Sequence, residues 1–328
     1  MLKLVLRLAL LLGAVGLLGG LGVAVGLRTG YVDAFYARFA ALPAASLVLG
    51  TSRAAQAIKP GVLAARLGGR YAAPWLNYAF TLAESPYGPG YLSSIRRKLA
   101  PGTERGLFVL AVDPWSLSLP RQVQHAVGQH QPSPCQPGPA PIIFPEANSM
   151  VSQLASVSQS PNLDYLAHYL HKPFYQLLLN TDTAQVVERL HPDGWLEIAL
   201  PPPTANPARL RWSTAQKLAT YRQLAADSRP SDARFYYLNQ LIELLRQHGQ
   251  VVLVRLPTGP EMADLETHYQ PDFDQRLRAL ASAQRVPYFS YLPVPYPTND
   301  GNHLTRAAAE QLSQRLADDI ARLPATGQ

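Results

Sequence analysis

The sequence predicts an α/β domain built on a central parallel sheet, carried behind an N-terminal membrane-spanning helix. Two observations support the sheet: the apolar segments are continuous rather than alternating, and helical stretches separate them. The clearest of these segments lie at 45–49, 106–112 and 250–256. Continuous apolar runs are typical of strands that a parallel sheet buries on both faces. A third observation, a longer apolar run within the first thirty residues, supports the membrane helix.

The N-terminal run has the length and charge pattern of a membrane anchor. Lys3 and Arg7 precede an uncharged apolar stretch from Leu8 to Leu27, and about twenty helical residues span about 30 Å, the thickness of a bilayer core. We therefore expect residues 4–27 to contact the lipid bilayer. The preceding positive charges predict a cytoplasmic N-terminus and an extracytoplasmic domain, on the periplasmic side of the inner membrane in a Gram-negative cell. A cleaved secretory signal is the alternative.

The first half of the domain reads as alternating strands and helices. Ala45–Leu49 is a buried strand closed by a glycine, and 75–79 is a second strand candidate. Residues 87–99 read as a helix, and 106–112 as a third strand that Asp113-Pro114 stops. The order strand, helix, strand is that of a parallel βαβ arrangement.

The second half resumes this order after a different middle region. Residues 118–206 are rich in proline and irregular, and we interpret them as an insertion or cap, because long loops inside compact domains usually serve a function. The α/β domain is then formed by 31–117 and 207–328, behind an anchor over 1–30. The predicted elements after the insertion are a helix at 231–248, a strand at 250–256, a helix at 272–284, a strand at 286–290 and a last helix at 305–323.

Composition narrows the function. Hydrophobic residues make up 47% of the chain and charged residues 16%, so a folded core is expected rather than disorder. The net charge is +7, but no run of five basic residues occurs, so the sequence does not predict a nucleic-acid binder. His168 and His171 are three residues apart without an evident third ligand, and Cys135 is the single cysteine. We predict no metal and no cofactor.

Two short motifs carry candidate chemistry. Gly50-Thr51-Ser52 places a hydroxyl directly after the first strand and before a helix, at the carboxyl edge of the sheet where α/β active sites collect. The alternative is that Ser52 only caps the helix. Asp300 stands three residues before His303, so its carboxylate can bind one ring nitrogen and leave the other to accept a serine proton. The alternative there is simple turn chemistry.

The two motifs together resemble the SGNH (GDSL-like) hydrolase superfamily, over about residues 45–117 and 231–322. The resemblance implies a three-layer α/β/α sandwich, with Ser52 as the nucleophile, His303 as the general base and Asp300 as the orienting carboxylate. The Gly-Thr-Ser-Arg form is similar to the exported, membrane-tethered branch, which includes alginate O-acetyltransferases and the protein that handles D-alanine transfer to teichoic acid.

The chain departs from this pattern where the superfamily binds the oxyanion. The superfamily has a glycine after the second strand and an asparagine after the third. Here Asn77 begins a segment without glycine, and Asp113 stands where the asparagine is expected. We expect a donor from Asn77, from the backbone near Thr81, or from Ser52 itself, because a carboxylate at 113 repels negative charge.

Two arginines and several tryptophans complete the candidates. Arg53 follows the nucleophile and is interpreted either as a ligand for a substrate carboxylate or phosphate or as part of a surface ion pair. Arg255 ends the fourth strand at the same edge and is a candidate pocket residue. Tryptophans could stack on sugar rings or serve the core; they include Trp115, Trp195 and Trp212.

The function expected from the resemblance is acyl-ester hydrolysis or O-acyl transfer on a cell-envelope or exported glycan. The glycan is then the main partner, and a membrane protein that supplies the acyl donor is a further candidate partner. The alternative is an SGNH-like binding or assembly protein with weak catalysis, which the altered oxyanion positions favour.

Overall fold

The computed structural model describes residues 2–29, 38–39, 41–122, 144–149, 151–152, 187–200, 206–292 and 294–324. Its contacts divide the chain into two units. The first consists of residues 1–41 and 159–182, and the second of residues 42–158 and 183–328. Residues 30–37 and much of the predicted insertion, including 123–143 and 153–186, lie outside the described residues. So do Cys135, His168 and His171.

The elements alternate between strand and helix along most of the second unit. The strands are β1 (Ser46–Leu49), β2 (Trp75–Asn77), β3 (Gly106–Ala111), β4 (Ser118–Pro120), β5 (Val187–Leu190), β6 (Leu196–Ala199), β7 (Ser228–Pro230), β8 (Gly249–Arg255) and β9 (Tyr288–Ser290). The helices are α1 (Leu2–Thr29), α2 (Ser52–Ala57), α3 (Pro60–Leu67), α4 (Pro89–Lys98), α5 (Pro207–Asp227), α6 (Asp232–Arg246), α7 (Pro260–Tyr269), α8 (Phe273–Gln284) and α9 (Arg306–Ala321).

A parallel sheet of five strands forms the centre of the second unit. Its order is β2-β1-β3-β8-β9, and every neighbouring pair is parallel. All residues of β1 and β3 are buried, which explains why their sequences are apolar without alternation. The predicted α/β fold with a central parallel sheet is therefore confirmed.

The strand order reverses its direction between β1 and β3. The chain passes from β1 outward to β2, returns across β1 to β3, and continues to β8 and β9. Right-handed crossovers then place the connecting helices on opposite faces. The contacts agree: α2 and α3 pack on α9, whereas α6 packs on α4, α8 and β8. Ligands of open α/β sheets bind outside the carboxyl ends of the strands at such a reversal.

The first unit contains the apolar helix α1. Its segment from Leu2 to Leu21 is long and apolar enough to cross a membrane, as either an anchor or a signal sequence would. The described side chains of α1 are exposed. Exposed leucines from Leu2 to Leu21 suit lipid better than water.

The predicted element boundaries hold to within about two residues for the sheet and its flanking helices. Two helices were not predicted, namely α5 and α7. Within the predicted insertion, β5 and β6 form an antiparallel hairpin, and β4 pairs with β7. The hairpin is fastened to the domain by Trp195, whose indole N–H donates to the carbonyl of Gln56 at 2.8 Å.

Candidate active site

The turn after β1 presents Ser52 at the carboxyl edge of the sheet. Gly50 has φ +139°, and a Cβ there would lie 2.9 Å from the carbonyl oxygen of Ala111, so only glycine fits beside β3. Thr51 occupies the cap position of α2, without a side-chain capping bond, and Ser52 is the first helical residue. The alternative that Ser52 merely caps the helix is therefore wrong.

Ser52 meets His303 across the site. Ser52 Oγ lies 2.9 Å from His303 Nε2, and His303 Nδ1 lies 2.9 Å from Asp300 Oδ2. A carboxylate only accepts hydrogen bonds, so it holds the imidazole proton on Nδ1 and leaves the lone pair of Nε2 facing the serine hydroxyl. The structure thus brings together the three residues that the two motifs predicted, in the order of a Ser-His-Asp triad.

The loop before α9 holds Asp300 and His303 in this arrangement. Asp300 Oδ1 accepts the backbone N–H groups of Asn302 at 3.0 Å and of His303 at 2.8 Å. Gly301 has φ +76°, a left-handed conformation that glycine adopts freely. Thr305 caps α9 by accepting from the N–H of Ala308. The turn chemistry of this segment is real, and it serves to orient the carboxylate.

Asp300 stays ionised in this environment. Burial favours its neutral form, but the hydrogen bonds from His303 and the positive charge of Lys217 outweigh burial and hold the pKa of Asp300 well below its usual range. Lys217 Nζ lies 3.5 Å from Asp300 Oδ2. A carboxylate that stays charged next to an imidazole stabilises that imidazole when it takes up a proton.

Arg53 is buried beside Ser52 rather than exposed. It is 4% exposed, its Nη1 lies 2.6 Å from Glu266 Oε1, and its Nε donates to Asn302 Oδ1 at 2.8 Å. Burial lowers the pKa of Arg53, but the carboxylates of Glu266 and Asp113 outweigh burial and raise it. The alternative of a surface ion pair is therefore wrong; Arg53 links the segment of Ser52 to the segment of His303.

Glu266 joins this ion pair to Arg255. Glu266 is fully buried and accepts from Arg53, from the indole of Trp115 at 2.8 Å and from Arg255 Nη2 at 3.2 Å. Arg255 in turn pairs with Asp274 at 2.6 Å. Arg255 is 3% exposed, so it stabilises the site from the interior and does not place a charge at the surface of the site.

The expected oxyanion positions have other partners. Asn77 Nδ2 donates to the carbonyls of Ala54 at 2.9 Å and Ile58 at 2.8 Å, which uses both amide hydrogens to hold the end of α2. Asp113 is buried and accepts from Thr51 Oγ1 at 3.3 Å and from a backbone N–H. Burial raises the pKa of Asp113, with Arg53 acting in the opposite direction.

Thr81 and the tryptophans are placed less specifically. The carbonyl of Thr81 closes a turn by accepting from the N–H groups of Glu84 and Ser85. The backbone N–H of Thr81 stays a predicted oxyanion donor. Trp115 and Trp195 are buried in the core, whereas Trp212 on α5 is 66% exposed. Among the described residues, no group of three His, Cys, Asp or Glu side chains is arranged to hold a metal ion.

Sequence reasoning did not single out Asn302, which contacts Arg53 and His303. It also missed three residues on helices: Lys217, Tyr221, whose hydroxyl lies 3.4 Å from Asn302 Nδ2, and Glu266. The first two lie on α5 and the third on α7. The available signal was a start motif for each helix. Asn206 precedes Pro207, and its side chain accepts from the N–H of Arg209, while Pro260 begins α7.

Comparison with models of known protein families, with curated proteins and with solved structures finds no significant match. The functional argument therefore depends on the geometry of the site.

Proposed function

We propose that the protein is an SGNH-type acyl-ester hydrolase or O-acyltransferase that acts outside the cytoplasm on a cell-envelope or exported glycan. The observation that carries the proposal is the continuous chain of short contacts from Ser52 through His303 to Asp300, at the reversal point of a parallel sheet. The apolar helix α1 and the positive residues before its apolar run support the extracytoplasmic location.

The proposed reaction has two steps. Ser52 Oγ attacks the acyl carbonyl carbon while its proton passes to His303 Nε2, and the intermediate expels the alcohol, which takes that proton. The resulting acyl-serine is then attacked by water or by a sugar hydroxyl while His303 again accepts the proton. The bond between the acyl carbon and Ser52 Oγ then breaks, and Oγ takes the proton back from His303. Hydrolysis and transfer differ only in this second nucleophile.

Covalent labelling tests the nucleophile. The purified full-length protein in detergent is treated with a fluorophosphonate probe, together with Ser52→Ala and with Ser282→Ala, which changes an exposed serine on α8. We expect labelling of the wild type and of Ser282→Ala, and none of Ser52→Ala. Aryl acetates with and without acetyl-accepting oligosaccharides then separate hydrolysis from transfer. A wild type that neither reacts with the probe nor cleaves aryl acetates contradicts the proposal.

A second candidate function is a glycan-binding or assembly protein with little turnover. It is favoured by Asp113, a buried carboxyl group where a donor is expected after β3, and by the engagement of Asn77 elsewhere. Glycan binding by calorimetry that is unchanged in Ser52→Ala, with no probe labelling, supports this candidate.

A further inference from the structure

The geometry points to an oxyanion donor outside the usual positions: we propose that the side-chain amide of Asn302 binds the carbonyl oxygen of the acyl substrate and stabilises its developing charge. This inference rests on the proposed function. Asn302 directly precedes His303 and is 1% exposed. Its side chain therefore lies inside the domain, beside the imidazole of His303.

Arg53 fixes which end of the Asn302 amide faces the site. A guanidinium group has only donors, and Arg53 Nε lies 2.8 Å from Asn302 Oδ1. The amide oxygen must therefore face Arg53, and the amide nitrogen must face the other way. That nitrogen lies 3.3 Å from His303 Nε2 and 3.4 Å from Tyr221 Oη. The donor thus stands next to the atom that takes the proton of Ser52.

The proton transfer itself releases this donor. Before reaction, the lone pair of His303 Nε2 faces both Ser52 Oγ at 2.9 Å and Asn302 Nδ2 at 3.3 Å. When Oγ bonds to the acyl carbon, the π electrons move to the carbonyl oxygen and the hydroxyl proton moves to Nε2. Nε2 then no longer accepts, so the N–H of Asn302 loses its partner as the oxyanion forms. An interaction that becomes available only in the transition state accelerates the reaction.

The side chains of Asn77 and Asp113 do not supply a donor to the oxyanion. Ser52 begins α2, so its backbone N–H has no acceptor within the helix and is a first donor. Asn77 has both amide hydrogens engaged, and Asp113 offers a carboxyl group. Asn302 supplies the second, side-chain donor that the end of β3 lacks.

Two variants of Asn302 separate the loss of its hydrogen-bond donor from the loss of its contact with Arg53. Asn302→Ala removes the amide but also leaves Arg53 Nε without its acceptor. Asn302→Asp keeps an oxygen for Arg53 and replaces the donating nitrogen with an oxygen, but it also adds a negative charge at the position 3.3 Å from His303 Nε2. It is the deciding variant when its kcat is recorded across a range of pH, which separates the lost donor from the added charge. Asn77→Ala is the matched control, because it removes a buried amide that holds α2 instead of facing His303.

The assay compares an aryl ester with its thionoester in the full-length protein, because sulfur is a weaker acceptor than oxygen. We expect Asn302→Asp to lower kcat for the ester by about 10²–10³-fold with a smaller change in KM. The ratio of kcat/KM for ester over thionoester should fall with it. Asn77→Ala should keep the wild-type ratio even where its activity falls, and circular dichroism verifies that each variant is folded.

The two proposals fail in different ways. An active wild type whose ester-to-thionoester ratio is unchanged in Asn302→Asp overturns the inference, because a purely structural role affects both substrates alike. A wild type that cleaves neither ester and does not react with a fluorophosphonate overturns the proposed function, and the role of Asn302 with it.

Discussion

Replacing Glu266 by glutamine tests the buried ion network beneath the site. Glu266 is fully buried and accepts hydrogen bonds from Arg53, Arg255 and Trp115. Glutamine keeps one acceptor oxygen, but its NH2 group must then face an arginine, which has only donors. The substitution also removes the negative charge shared by two buried guanidinium groups.

The size of the expected loss of stability depends on the ion pairs that each arginine retains in Glu266→Gln. Arg255 retains Asp274 at 2.6 Å, whereas Arg53 has no other ion pair among the described residues. Removing one partner of a buried pair costs about 3–5 kcal/mol, because the other charge stays buried. For a domain of this size, a loss of that order lowers Tm by roughly 6–10 °C.

Urea unfolding followed by circular dichroism measures this loss in the full-length protein in detergent. Glu243→Gln on α6 is the control, since Glu243 is exposed and its loss should stay within about 0.5 kcal/mol. The ester assay is run on the same samples, and we expect Glu266→Gln to lose activity because Arg53 no longer holds Asn302 in place. A loss of less than about 1 kcal/mol for Glu266→Gln would falsify the view that Arg53 depends on this carboxylate.

Three further substitutions test the charges around the triad. Asp300→Asn should lower kcat by about 10⁴-fold, because the amide no longer holds the proton on His303 Nδ1; unchanged ester cleavage would refute the assigned role. Lys217→Met should lower kcat by less than about tenfold, since this partly exposed cation only assists Asp300; a loss as large as that of Asp300→Asn would contradict this. Asp113→Asn should change the pH dependence of unfolding. Burial raises the pKa of Asp113, so its contribution to stability is full below its unfolded pKa of about 4 and is lost as the pH rises through its folded pKa. The variant should therefore gain stability relative to the wild type as the pH rises above about 4, and a difference independent of pH would count against this reasoning.

The sequence predicted the sheet and the triad because both have local signals. Strands buried on both faces are apolar throughout, as β3 is, and Gly50 marks the turn after β1. Helix α5 offered only its start motif as a signal, since Leu218 is its only buried residue among those described and its apolar pattern is weak. The role of Glu266 was not predictable for another reason: an isolated glutamate in a helix reads as a surface residue, and only the fold brings it to Arg53.

The position of Arg53 couples the stability of the domain to the geometry of its site. The residue that follows the nucleophile in sequence binds Glu266 with one nitrogen and Asn302 with another, and Asn302 adjoins His303. Because one rigid guanidinium serves both contacts, a change at Glu266 should alter unfolding and catalysis together. A change from Asn302 to aspartate keeps the contact of Arg53 with Glu266 but adds a carboxylate beside Arg53 Nε, so we expect it to affect catalysis more than unfolding. If Glu266→Gln alters both unfolding and catalysis, Arg53 orients the reacting groups. If it alters unfolding alone, Arg53 only fills the core.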